Sequence, residues 1–480
     1  MELTALFWSA LPVVEVVWIV VSAVYLVLQR RSAQATLAWV LALAFRPLIG
    51  IAVYVFIGPR RFEKRKKRRV RARAAVHDGP IEDAPGPKDA SERARNLIAL
   101  CEHAAGRAAR PRHAALEILR TGREKYAALE RAISEASHHV HLEYYIWEPD
   151  RIGTRLRDAL VERAKAGVEV RVLVDGFGSS KAHDRFWGPL VEAGGQVRRF
   201  NELSLARWRP RMANFRTHRK IAVIDGAVGF TGGMNVTDVH TDEHSGEAAW
   251  RDTHVRLEGP AVKGLSMVFF EDWGYATGEP AKIAPYVAER ERTSAPAGSV
   301  WTQIVASGPD EDLDAIHKLF FASIAGAGRR VLLTTPYFVP DEPIFQALTT
   351  AALRGADVRV LVPAAGDVPL VAAAARSYYP ELVAAGVRIF EHGAPVLHAK
   401  TLVIDDVVAI VGTANTDNRS FRLNFEVVCA IYDAATCEEL AAMFARDLER
   451  SREVTRKDIH KEPFVRRLYT SAARLLSPIL

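Results

Sequence analysis

A short pattern occurs twice in this chain of 480 residues, 180 positions apart. The first copy is His218-Arg219-Lys220, then Ile221 to Ile224, then Asp225. The second is His398-Ala399-Lys400, then Thr401 to Ile404, then Asp405. Each runs into a turn of small residues that ends in asparagine, Gly232-Gly233-Met234-Asn235 and Gly412-Thr413-Ala414-Asn415. A repeated half-site with matching downstream turns predicts two homologous lobes that build one site together. The surrounding sequence repeats as well: GVEVRVLV from Gly167 matches GADVRVLV from Gly355. Before each lies a helical stretch (152–166 and 342–354), and before that an apolar strand (140–147 and 331–339). Strand, helix, glycine and strand in that order make each lobe α/β, with strands apolar enough to be covered on both faces. The seam falls between residues 285 and 300, which sets a first lobe at 113–290 and a second at 291–480.

The other end of the chain has a different character. Leu3 to Leu28 is apolar apart from Glu15 and a few small polar groups, long enough for roughly 39 Å of helix. Ala35 to Ile57 is a second apolar stretch, broken only at Arg46-Pro47. Two spans joined at Gln29 to Gln34 predict a transmembrane hairpin over 1–59, either with Glu15 and Arg46 at similar depth and paired, or with Arg46-Pro47 as a break where the second segment dips in and returns. The N-terminus lacks the basic start of a cleavable signal. Between Arg60 and Arg73 ten basic residues stand against Glu63, more than the net charge of +7 of the whole chain, so the remainder is slightly acidic. This cluster places the lobes on the cytoplasmic side and suits anionic head groups; it is no groove for nucleic acid. Residues 60–112 are expected to be a basic juxtamembrane segment and linker with one amphipathic helix near 90–105. Cys101, Cys429 and Cys437 are too few and too odd for a disulfide framework.

The motif carries its own chemistry. Residues two apart on a strand share a face, so histidine and lysine point together while Asp225 and Asp405, seven residues on, point away and brace the turn. An imidazole is a nucleophile near neutral pH, and lysine fixes positive charge against phosphoryl oxygens. Asn235 and Asn415 add neutral phosphate-binding donors. Two such sets around one phosphodiester allow one histidine to attack while the other moves protons, with no metal and no cofactor. Each histidine needs an orienting acid. Asp252 and Glu426 each stand in an apolar run after a turn, and the expectation is that Asp252 holds His218 and Glu426 holds His398. His240, Asp242, Glu243 and His244 lack metal-site spacing and read as a solvated loop. Trp147, Trp187 and Trp208 are either lipid-facing or core. The C-terminal 464–480 alternates basic and apolar residues at helical spacing, and either lies on a membrane or packs on the domain.

The paired motifs resemble those of the phospholipase D superfamily. Pro47-Leu48-Ile49-Gly50, Trp250-Arg251-Asp252-Thr253-His254, Asn415 to Phe421 and Asn424-Phe425-Glu426 resemble bacterial cardiolipin synthases over essentially the whole chain. The resemblance implies transfer of a phosphatidyl group between two phosphatidylglycerol molecules at the inner membrane through a phosphatidyl-histidine. It implies a catalytic set of His218, Lys220, Asp225, His398, Lys400 and Asp405, with His218 attacking. Two departures stand out: Thr413 replaces the usual serine, and no tyrosine follows the first turn.

Overall fold

The computed structural model describes residues 16–28, 33–45, 63–76, 90–201, 215–279, 282–286, 299–311, 313–366 and 368–477. They fall into two units, Met1–Glu63 with Ser204–Asn214, and Lys64–Leu203 with Phe215–Leu480.

The larger unit carries both repeats. Its first half holds β1 (Arg112–Leu119), β2 (His139–Tyr144), β3 (Glu169–Asp175), β4 (Gln196–Phe200), β5 (Lys220–Ile224), β6 (Val228–Gly232) and β7 (His254–Glu258). The second holds β8 (Val300–Ser307), β9 (Arg330–Thr334), β10 (Phe338–Val339), β11 (Asp357–Pro363), β12 (Arg388–His392), β13 (Thr401–Ile404), β14 (Val408–Gly412), β15 (Thr416–Asp417), β16 (Glu426–Tyr432) and β17 (Ser451–Glu453). The strand order β1-β7-β6-β5-β2-β3-β4 of the first half recurs as β8-β16-β14-β13-β9-β11-β12 in the second, with β17 added at the edge. The duplicated sequence therefore folds into two lobes of one topology. They join where β1 pairs antiparallel with β8, Arg112 opposite Thr302 and Ala114 opposite Val300.

Each sheet is mixed for a local reason. A helix returns the chain between β2 and β3 and between β9 and β11, so those pairs are parallel. Both helices start on an aspartate cap, Asp150 accepting from the Gly153 N–H and Asp341 from the Ile344 N–H. Just past their C-termini Gly167 and Gly355 adopt φ of 88° and 93°, which only glycine takes without strain. The motif strands instead turn straight back, β5 into β6 and β13 into β14, and a tight turn can only make an antiparallel pair. Alternation along β5 then divides its side chains. Ala222 and Ile224 enter the core of the first lobe. Ile221 and Val223 enter a core shared with Val403, Val411 and Val427 of the second lobe. The two sheets thus pack face to face.

The helices Glu63–Val76 and Glu92–Ala105 correct the expectation of a linker there. The helix Glu92–Ala105 lies close to its expected range, but Leu97 and Cys101 belong to the second-lobe core. The helix Glu63–Val76 carries most of the basic cluster, yet Arg69 is 2% exposed. Its guanidinium pairs with Asp272 and with Asp310 (3.0 Å), while Arg73 reaches Glu271 (3.2 Å) and Glu311 (2.7 Å). The lipid-facing reading of the cluster therefore does not extend to Arg69 and Arg73.

In the smaller unit, residues 16–27 and Ala33–Phe45 are helical, and Leu26 and Leu43 pack with Trp18, Trp39 and Val40. Val17, Val20, Val24, Tyr25, Leu28 and Leu37 point outward. Among the described residues no helix is long and apolar enough to cross a membrane. Glu15, Arg46, Pro47 and the remainder of both expected spans lie outside the described residues, as does Trp208. Trp147 and Trp187 are core, packed edge to face at 5.0 Å, and the three cysteines are buried and unpaired.

Candidate active site

His218 and His398 sit just before β5 and β13, where each lobe grips the other's backbone. The His218 N–H donates to the Phe425 carbonyl (2.9 Å) and the Phe425 N–H to Arg216 (2.9 Å). In the mirror arrangement the His398 N–H donates to the Arg251 carbonyl (2.7 Å) and the Arg251 N–H to Val396 (2.8 Å). The acids cross with the backbones. His218 Nδ1 lies 2.9 Å from Glu426 Oε2, and His398 Nδ1 lies 2.7 Å from Asp252 Oδ2. This reverses the expected pairing within each lobe. The reason is sheet order: β7, which follows Asp252, is two strands from β5 with β6 between them. That separation is roughly 10 Å, whereas the facing lobe is in direct contact.

Both dyads are closed to water. His218 and His398 are 8% and 7% exposed, and Lys220, Lys400, Asp252, Glu426, Asn235 and Asn415 are all buried. Burial lowers both imidazoles, against the pull of their carboxylates, and takes His398 to about 4 with Lys400 assisting. Burial also lowers Lys220 to about 7, opposed by Glu426 and aided by Lys400. Burial would raise the two acids, but Lys400 and His398 hold Asp252, and His218 and Lys220 hold Glu426, below the usual carboxylate range. The charge of Lys400 acts on His218 and that of Lys220 on His398, so the four basic groups share one low-dielectric site. Each lysine also donates to the carbonyl of its own histidine, Lys220 at 2.8 Å, which sets the two side chains on one side of the chain.

With each Nδ1 held by a carboxylate, each ring turns Nε2 toward the reacting space. Glu426 is itself fixed by the Thr413 hydroxyl and by the Asn424 amide at 3.1 Å, so the threonine in place of serine keeps the donor. At the corresponding place in the first lobe Gly233 leaves room for Asp252. A Cβ there would fall 2.0 Å from Asp252 Oδ1. Gly233→Ala is therefore expected to cut turnover at least about tenfold by displacing that carboxylate, and to add little to Asp252→Ala when combined, as a double-mutant cycle of rates would show.

Asp225 and Asp405 lie away from the histidines, as the strand period places them, and not beside the reacting groups of the set the resemblance implies. Each follows a strand of its motif, roughly 20 Å along the chain from its histidine. Asp225 accepts the backbone N–H groups of Ser137, His138 and His139 at 2.8 Å each, and Asp405 those of Gly328, Arg329 and Arg330. Both adopt φ of 52° and lock the turn to the neighbouring strand. Asn235 accepts the Ile146 N–H on its side-chain oxygen (3.1 Å), while Asn415 Oδ1 is buried without a partner.

The His240 loop is a further correction. Asp242 pairs with Arg123 and Glu243 with Arg155, both exposed, but His240 is 2% exposed and packs 5.7 Å from His398 and 5.6 Å from Trp250. Its Nε2 accepts the Asn235 N–H (3.2 Å), the task Ser420 Oγ performs for Asn415 (3.0 Å) five residues on in the other lobe. That matching offset was the signal available in the sequence. His240, Asp252 and His398 bring donor atoms within 4.8 Å of one another, a spacing a metal could use. Lys400 Nζ, 3.0 Å from His398 Nδ1, opposes a cation there. Tyr145 walls the His218 side at 5.0 Å, and Trp250 the His398 side at 5.2 Å.

Residues 129–273 and 320–448 match the family described as "Cardiolipin synthase, PLD-like domain". A cardiolipin synthase of Alkalihalophilus pseudofirmus is 36% identical over 98% of this chain and 94% of its own. Cardiolipin synthase 2 of Bacillus cereus is 38% identical over 94% of this chain and 88% of its own. This chain belongs to the cardiolipin synthase family. Its phospholipase D-like fold is shared with the phosphatidylserine synthase of Haemophilus influenzae, at a TM-score of 0.56 and 16% identity over 76% of this chain and 95% of that one. Within the family fold, the doubled half-site and the crossed acids are the features that bear on chemistry.

Proposed function

We propose that this protein is a membrane-anchored phosphatidyltransferase that makes cardiolipin and glycerol from two molecules of phosphatidylglycerol. The observation that carries the reading is the crossed dyad pair: two imidazoles, each oriented by the other lobe's acid, beside two buried lysines. His218 Nε2 attacks the phosphorus of the first lipid, the bond to the glycerol oxygen breaks, and His398 gives that oxygen its proton. The phosphatidyl group is then bonded to His218. A hydroxyl of the second lipid loses its proton to His398 and attacks the same phosphorus, freeing His218. Lys220 and Lys400 neutralise the phosphoryl oxygens throughout, in a site dry enough for fixed charge to act strongly. The attack is assigned to His218 by the family resemblance, since the crossed dyads alone do not choose between the two histidines.

In the empty site burial, with Lys400 assisting, disfavours an imidazolium at His398. A bound phosphodiester anion acts in the opposite direction and favours the charged form while the leaving group is present. The outward-facing valines of residues 16–28 support a bilayer anchor, and the basic cluster supports lobes on the cytoplasmic side. Purified full-length protein given labelled phosphatidylglycerol in mixed micelles is expected to release glycerol and labelled cardiolipin. Phosphatidic acid as the sole product would assign water as the acceptor and overturn the reading.

A further inference from the structure

The helix Phe464–Arg474 shows an unusual division of faces. It packs on the second lobe through small side chains, Thr470, Ala473 and the following Ser477, all buried. Its large apolar side chains point the other way: Phe464 is 70% exposed, Val465 76% and Leu475 80%, with Leu468, Tyr469 and Leu476 beside them. Those positions recur at helical spacing and form one continuous stripe. The helix is fixed in this roll. The Tyr378 hydroxyl donates to Ser477 Oγ (3.1 Å), the Asn418 amide to the Ser477 carbonyl (3.0 Å), and Arg474 pairs with Glu381 at 2.7 Å. An apolar stripe held outward by polar bonds on the opposite face is a surface prepared for a partner.

The charge around the stripe says which partner. Lys461 and Arg467 are exposed beside it, Arg466 is exposed but paired with Glu462 at 3.1 Å, and no acid occurs from residue 463 to 480. A second copy of this chain would bring two cationic edges together. An anionic leaflet complements both the stripe and its rim. We propose that the helix Phe464–Arg474 lies in the surface of an anionic bilayer and sets the lipid site against it. The tie through Asn418, three residues past Asn415, couples that contact to the turn that carries a phosphate-binding asparagine. The proposal rests on the lipid-substrate reading only for its consequence, since the docking itself is read separately from catalysis.

The test uses the full chain with its buried native cysteines, carrying a spin label at Leu468→Cys or, as a control, at the exposed Glu162→Cys. In vesicles of phosphatidylglycerol and phosphatidylcholine, the label at 468 is expected to be open to oxygen and shielded from an aqueous nickel complex. Its depth should be about 5–10 Å below the head groups. In pure phosphatidylcholine the shielding should weaken. Nickel access at 468 equal to that at 162 overturns the proposal, and so does a short label-to-label distance that persists whatever the lipid, which would mean a second copy covers the face. Phe464→Ser with Leu468→Ser and Tyr469→Ser is expected to lower transfer on vesicles about tenfold while leaving transfer in detergent micelles within about twofold. Equal losses in both media, or none in either, contradict it. Shielding at the labelled Leu468→Cys position, together with no transfer by the wild-type protein in micelles, would sink the functional reading and leave the docking intact.

Discussion

His218→Ala and His398→Ala are each expected to lower the transfer rate by a factor on the order of 10³ or more, with the folded lobes retained. Each removes one half of a two-step displacement. Without His218 there is no nitrogen to hold the phosphatidyl group between lipids; without His398 neither the leaving nor the entering oxygen has a proton partner. Because both groups act in one cycle, the double variant should be little worse than either single one. The acids should follow the crossed geometry. Glu426→Gln, although it lies in the second lobe, should impair the step served by His218, and Asp252→Asn the steps served by His398. Single-turnover measurements of adduct formation and release check this directly. If Glu426→Gln spared adduct formation and slowed only its release, the pairing across the lobes would not be the one that matters.

Asp272→Ala is expected to be among the most destabilising single changes away from the histidines, by about 3–5 kcal/mol. Asp272 is fully buried and receives two guanidinium groups, Arg69 from the helix Glu63–Val76 and Arg219 from the middle of the first motif. Arg219 also donates to the Glu426 and Ser307 carbonyls, both at 3.1 Å, and both cations lie over the Phe425 ring, at 4.7 and 5.6 Å. Removing the aspartate takes from Arg219 the carboxylate it pairs with and leaves Arg69 paired with Asp310, in a buried space where Glu143, Glu271 and Glu311 act only from farther off. Arg69→Ala should act in the same direction. Arg71→Ala, on the exposed side of the same helix, should fall within about 0.5 kcal/mol of wild type. Thermal melts in detergent read all three. Equal, small effects at Arg69 and Arg71 would return the whole cluster to a surface role.

The repeat was legible because a duplicated gene product repeats its strand pattern, and the matching of residues 167–174 with 355–362 needed no tertiary information. The facing of histidine and lysine, and the turning away of Asp225 and Asp405, followed from the two-residue period of a strand. The crossed pairing was not legible. Chain order puts Asp252 after His218 and Glu426 after His398, and nothing local tells a partner in the same sheet from one in the facing sheet. Arg69 was hidden for a different reason: ten basic residues in one run look alike until a complementary charge selects one. That complement was visible as Glu271-Asp272 inside the otherwise apolar helix Val262–Thr277, where two acids require cations. The asymmetry between Arg219 and Ala399 at the centre of the two motifs was the matching clue. His240 was misplaced because its loop is polar on average, although its own ring is enclosed.

The central claim is that two homologous lobes present their imidazoles to one phosphorus, with the lipid carried on the first. The most direct test is to incubate the His398→Ala protein with phosphatidylglycerol long enough for adduct formation that is itself slowed, quench in base to preserve phosphohistidine, and map the adduct by mass spectrometry. A phosphatidyl group on the peptide that contains His218, absent from His218→Ala, is the predicted result. Product formed at a wild-type rate with no adduct, or an adduct in His218→Ala on His398 alone, would contradict it.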